Sequence, residues 1–168
     1  MNRHYKFLMV SCLLAFAFLL IDGAPADAKG MGGVIKALGN KIYNEKTLRP
    51  EELKNCLVME KKIKLQADEL AKARGKLDEE KAKIEMENKR IQEKKKKLDR
   101  KNAADVRDFN KAVADLNKRI DKHGAAAKKY NESAQGQREM AKRYNTECSS
   151  KSYYDSDMKE AQKSLEKE

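Results

Sequence analysis

Residues 56–98, CLVMEKKIKLQADELAKARGKLDEEKAKIEMENKRIQEKKKKL, place an apolar side chain at every seventh position: Cys56, Ile63, Leu70, Leu77, Ile84, Ile91 and Leu98. Counted backwards from Cys148, the same step gives Cys148, Ala141, Ala134, Ala127, Ile120, Val113 and Val106. A column at period seven keeps facing one partner, because a coiled coil winds at about 3.5 residues per turn. Folded back about Asn102, the two columns fall in register. Cys56 then meets Cys148, Ile63 meets Ala141, Leu70 meets Ala134, Leu77 meets Ala127, and the Ile and Leu positions beyond meet Ile120, Val113 and Val106. The expectation is an all-α protein, a long antiparallel two-helix coiled-coil hairpin over residues 49–148, closed at its base by a Cys56–Cys148 disulfide.

Local signals around that stretch agree with it. Pro50-Glu51-Glu52 is a helix start: proline at the first helical position loses no hydrogen bond, and the carboxylates sit at the positive end of the dipole. The first helix is expected over about residues 50–101, ending in the cations Lys94 to Lys97, Arg100 and Lys101. Asn102 is a good cap for a second helix over about residues 103–147. A second column on that helix, Phe109, Leu116, Tyr130 and Tyr144, each followed by asparagine, faces Lys95, Asn88, Arg74 and Glu60 in the same register. This layer is mixed, with Glu60 placed to accept from Tyr144. The three alanines make the cysteine half thin, so on reduction it is expected to fray first. The disulfide closes a loop of about 92 residues, for which the chain-entropy model assigns roughly 4–5 kcal/mol.

The N-terminus reads as an export signal over residues 1–28. Arg3 and Lys6 precede an apolar run from Phe7 to Ile21, and two small-x-small sites follow, Ala24-Pro25-Ala26 and Ala26-Asp27-Ala28. The run is short for a bilayer span of about 20 residues. Removal through Ala28 takes two basic and two acidic residues, so the net charge stays at +11. Cys56 and Cys148 are then the remaining cysteines, an even count that suits an oxidising compartment. Secretion, to a bacterial periplasm, is the expected address. An uncleaved signal anchor is the alternative.

On either side of the hairpin the pattern weakens. Residues 29–48 begin with Lys29-Gly30-Met31-Gly32-Gly33 and read as a flexible N-terminal arm, with Val34, Leu38 and Ile42 spaced for one short amphipathic helix. Residues 149–168 read as a polar tail with a short helix on a Met158, Ala161 and Leu165 stripe, folding back on Val58 and Leu65. Tyr153 and Tyr154 in this tail are an exposed-looking aromatic pair and a candidate partner contact.

With 39% charged residues and no Trp, the chain cannot enclose a broad globular core. No catalytic constellation is present, no cofactor or metal is implied, and the reading is that the protein is not an enzyme. His123 sits at a heptad position beside Gly124 with no partner at ligand spacing. The electrostatically loud place is the turn. From Lys89 to Lys101 there are eight basic residues, Lys89, Arg90, Lys94, Lys95, Lys96, Lys97, Arg100 and Lys101, against two acidic ones. This run is a candidate contact for polyanions, such as anionic headgroups or glycan phosphates. No aromatic interleaves the lysines, so nucleic-acid reading by stacking is not expected. The partners are accordingly another protein or an anionic envelope surface, with the membrane surface included and the oligomeric state, monomer or dimer, left open.

In organisation, a small basic exported protein made of long charged helices resembles the OmpH-like (Skp-type) periplasmic chaperones over about residues 50–147. The resemblance implies helical arms that hold unfolded client proteins. Two features depart from it: there are no alternating strand segments for a β-body, and the Cys56–Cys148 clamp is foreign to that family. The chain also looks like exported bacterial coiled-coil proteins of unassigned role. The reading is therefore an exported non-catalytic interaction protein, an adaptor, spacer or holdase. Binding of polyanions or membrane surfaces at the tip, and an anchored envelope spacer, are the alternatives.

Overall fold

The structure, a computed structural model, describes residues 25–37 and 39–167. The expected signal peptide therefore lies outside the described residues, except for Pro25–Ala28. The chain is mostly helical. Helix α1 spans Pro50–Lys97 and α2 spans Ala103–Tyr144. Pro50 opens α1, and the Glu52 carboxylate accepts from the Arg49 N–H at 2.9 Å. The first helix ends four residues earlier than expected, because the turn takes its own bonds: Lys101 N–H donates to the Asp99 carboxylate at 2.9 Å and Asn102 N–H to the Asp99 carbonyl at 3.1 Å. Asn102 caps α2 as expected, its side-chain oxygen accepting from Ala104 N–H at 3.0 Å and Asp105 N–H at 3.4 Å.

The pairing of α1 with α2 is consistent with a helical hairpin, and Cys56 and Cys148 are disulfide-bonded. Their shared core falls into three clusters. Near the turn, Ile84, Ile91 and Leu116 are buried with Val113, Ile120 and Phe109 against them. In the middle lie Leu70, Leu77, Ala127, Tyr130 and Ala134. The base cluster is the largest, and it draws on four parts of the chain: Leu48, Leu53, Cys56, Ile63, Ala141, Tyr144, Cys148 and Ala161.

Beyond Tyr144 the helix widens into one π-helical turn, Asn145–Ser149. Three hydroxyls there bond back to main-chain carbonyls one turn earlier: Thr146 donates to Lys142, Ser149 to Asn145 and Ser150 to Thr146, at 3.1, 2.8 and 3.0 Å. Next come strand β2, Tyr153–Tyr154, and helix α3, Asp155–Leu165. β2 pairs in parallel with β1, Val34–Ile35, while Ser152 bridges Thr47. Tyr153 N–H donates to the Gly33 carbonyl, and Ser152 N–H donates to the Lys46 carbonyl. Successive N–H groups of a strand point to opposite sides, so this short segment lies between two passes of the arm.

The arm and tail differ from expectation. Among the described residues no amphipathic helix forms through Val34 and Ile42, and Leu38 lies outside them: Val34 is in β1, and Ile42 is 73% exposed. Where a flexible arm is expected, the segment is tied to the base and tail at Ala26, Lys29, Gly33, Lys41 to Tyr43 and Lys46 to Leu48. Gly32 sits so close to the tail that a Cβ there would lie 2.0 Å from the Lys151 carbonyl oxygen. The short tail helix does form, with Ala161 buried and Met158 against the base cluster. It packs on α1 but leaves Val58 and Leu65 exposed, because it meets the Leu53 and Cys56 side of that helix instead.

Candidate functional site

Three surfaces are candidates, and they differ in chemistry along the rod. At the tip, all eight basic residues from Lys89 to Lys101 are exposed. Lys94 to Lys97 form the last turn of α1, where the helix dipole favours cations. Lys96 also pairs with Glu93 at 2.6 Å, an i,i+3 contact in water that adds little stability. Arg90 and Lys94 flank a shallow groove floored by Ile91, Ala112 and the half-exposed Met86. The tip can thus offer charge beside a little apolar surface.

Midway along the rod, Arg119 of α2 reaches two carboxylates of α1, Glu80 at 2.8 Å and Glu87. The guanidinium holds the Glu80 carboxyl below the usual carboxylate range, chiefly through that hydrogen bond, and Arg119 is itself raised. One ring nitrogen of His123, Nε2, lies 3.2 Å from the Leu77 carbonyl oxygen, so the histidine is engaged as a polar member of the seam. Beside these groups, where α2 offers small residues, a groove of about 690 Å³ opens between the helices over Leu70, Ala73, Leu77, Ala126 and Tyr130. Lysines rim it, Lys76, Lys122 and Lys129. Such a groove can receive an apolar side chain from a partner.

At the base the chemistry is inward. Tyr144 donates to the Glu60 carboxylate at 3.3 Å, the contact expected from the register. Burial, with that carboxylate beside it, pushes the Tyr144 hydroxyl up to about 12. Asp157 is fully buried and accepts from Lys41 and from the Tyr43 hydroxyl, the latter at 2.7 Å. The carboxylate raises Lys41, while burial followed by the Asp157 hydrogen bond raises Tyr43. Asp157 is therefore consumed by the fold.

The aromatic pair is corrected here. Tyr154 is only 6% exposed: its ring meets Tyr43 edge-on at 5.4 Å, and its hydroxyl bonds the main chain of Ile42. Tyr153 is half-buried against the base cluster. Pairing of β2 with the arm sends the two rings to opposite faces, Tyr154 onto Tyr43 and Tyr153 onto the base cluster, which a reading of the tail by itself cannot foresee. The role of Gln137 is not foreseen, although its signal is present: like His123, it interrupts the heptad column of Phe109, Leu116, Tyr130 and Tyr144. It is fully buried, and it bonds the main chain of Ala26.

Among the described residues no group of three or more His, Cys, Asp or Glu converges as a metal site. Among them, too, no helix is long and apolar enough to cross a membrane. Comparison with protein-family models, with curated proteins and with solved structures finds no match.

Proposed function

We propose that this chain is an exported, non-catalytic interaction protein of the cell envelope, whose hairpin is an antiparallel coiled coil presented to a partner protein as an adaptor, spacer or holdase. The observation that carries this reading is the groove over Leu70, Ala73, Leu77, Ala126 and Tyr130, which two helices alone leave open. Its apolar floor and lysine rim suit an apolar or amphipathic segment with acidic neighbours. The disulfide is compatible with the oxidising compartment that export supplies. The loose organisational likeness to the Skp-type chaperones favours a holding role within the same class.

The test is photocrosslinking in cells of the source organism, from Lys129 on the groove rim and from Lys96 at the tip. A discrete protein captured from Lys129 supports the partner reading. Lipid or glycan adducts from Lys96, with none from Lys129, overturn it in favour of a second reading, binding of anionic surfaces by the tip. The exposure of all eight tip cations favours that second reading. Charge-driven binding at the tip falls steeply as ionic strength rises, whereas groove binding does not. The third reading, an anchored spacer, requires residues 1–24 to remain attached, and an intact mass lacking them eliminates it.

A further inference from the structure

The base holds a feature that bears on how the exported chain is processed. Gln137 is fully buried, and its carboxamide is used twice on one residue: Nε2 donates to the Ala26 carbonyl at 2.7 Å, and Oε1 accepts from the Ala26 N–H at 2.9 Å. Eight residues further along α2, the Asn145 side-chain oxygen accepts from Lys29 N–H at 3.0 Å. Positions 137, 141 and 145 fall at i, i+4 and i+8 and so form one ridge. Ala141, between the two amides, is the residue small enough for an extended backbone to lie close. Ala26, Ala28 and Met31 pack against the base cluster from this side.

We infer that Ala26–Ala28 belong to the native protein, and that export processing hydrolyses a peptide bond upstream of Pro25. In that hydrolysis water adds across the bond, giving a carboxylate on the leader and an amine on the retained chain. The inference rests on the export reading above and sets aside both small-x-small junctions, after Ala26 and after Ala28. Cutting at either removes Ala26, the residue that Gln137 satisfies with both halves of its amide. Cutting after Ala28 also strips both alanines from the cluster. A buried amide matched to one main-chain residue in both directions is a built fit, since an unmatched amide there would carry a desolvation cost.

The experiment is the intact mass and N-terminal sequence of the exported protein, recovered from the envelope fraction of cells that carry the full chain. A start at or before Pro25, with the apolar run gone, is expected. A start at Asp27 or Lys29 overturns the inference and leaves export standing. A start at Met1 overturns the processing step and moves the chain to the anchored-spacer reading. On the same exported protein, hydrogen exchange at the Ala26 and Lys29 amides is expected to speed up about tenfold or more in Gln137→Ala. Equal exchange in the two proteins overturns the claim that Gln137 holds the segment.

Discussion

The Tyr154 hydroxyl closes on the main chain of Ile42 in both directions, accepting from its N–H at 2.7 Å and donating to its carbonyl at 2.9 Å. The two residues lie 112 apart in sequence, and Ile42 itself is largely exposed. The tail therefore grips the arm through polar bonds rather than through the isoleucine side chain. Tyr154→Phe removes both bonds while keeping the ring against Tyr43. It is expected to lower stability by about 1–3 kcal/mol. Far-UV circular dichroism should be unchanged, since α1 and α2 do not depend on the clasp. A melting curve identical to that of the parent protein would contradict this.

Tyr144 gives a pH signature. Its hydroxyl stands at about 12 in the fold against 10.0 for a free tyrosine, so the folded chain holds this proton more tightly than the unfolded one. Its contribution is complete below about pH 10 and is lost as pH rises towards 12, where the unfolded state has already released its proton. Denaturant titrations across that window should show stability falling. In Tyr144→Phe the fall should be shallower, although Tyr43, which is also raised, keeps part of it. A parent protein whose stability does not change across the window would refute the assignment.

Gly32 is the point of closest approach between arm and tail. A methyl group there would meet the Lys151 carbonyl oxygen at 2.0 Å and the Ser149 carbonyl oxygen at 3.2 Å, and backbone cannot move aside as a side chain can. Gly32→Ala is expected to cost about 1–3 kcal/mol and to expose residues 25–48 to protease. Gly30→Ala, where nothing lies within 4 Å, serves as the control and should be nearly silent. Equal cleavage of the two variants would rule the contact out.

Reduction separates the two ends of the rod. Opening a disulfide that joins residues 92 apart should lower stability by roughly 4–5 kcal/mol. The alanine column suggests that the cysteine end frays first, whereas the cover at the base argues for the opposite order. Ala134 and Ala141 are almost fully buried, and the base gains the arm and α3 as extra cover. Hydrogen exchange on the reduced protein should therefore show Lys97–Asn102 opening before Leu53–Ile63. The opposite order would mean that the disulfide alone holds the base.

Much of the hairpin was legible because its information is periodic. The Cys56 to Leu98 column, the Asn102 cap and the Tyr144–Glu60 pair all follow from a step of seven and a centre of symmetry. The base was not legible, for a physical reason. Lys41 with Asp157, Ile42 with Tyr154 and Ala26 with Gln137 join segments more than 110 residues apart. The strands between them are two residues long, too short for alternation to register. Small residues mislead in the same way. Ala141 looks like a weak link in a two-helix seam, yet it is the gap through which a third piece of chain approaches.

Both described ends of the chain are fastened at one end of the molecule, with Ala26 and Ala161 against the same cluster. Mechanically the hairpin is a cantilever. α1 has 48 residues, which at about 1.5 Å per residue gives, with α2 along it, an arm of about 70 Å, and among the described residues the other segments pack at its root. A pull applied between residues 25 and 167 is carried by the clasp and the Cys56–Cys148 bond and does not reach the turn. A push on the turn acts on the base through the full length of the arm. Tethered by either terminus, such a body sweeps its basic tip through a wide arc without straining its own fold.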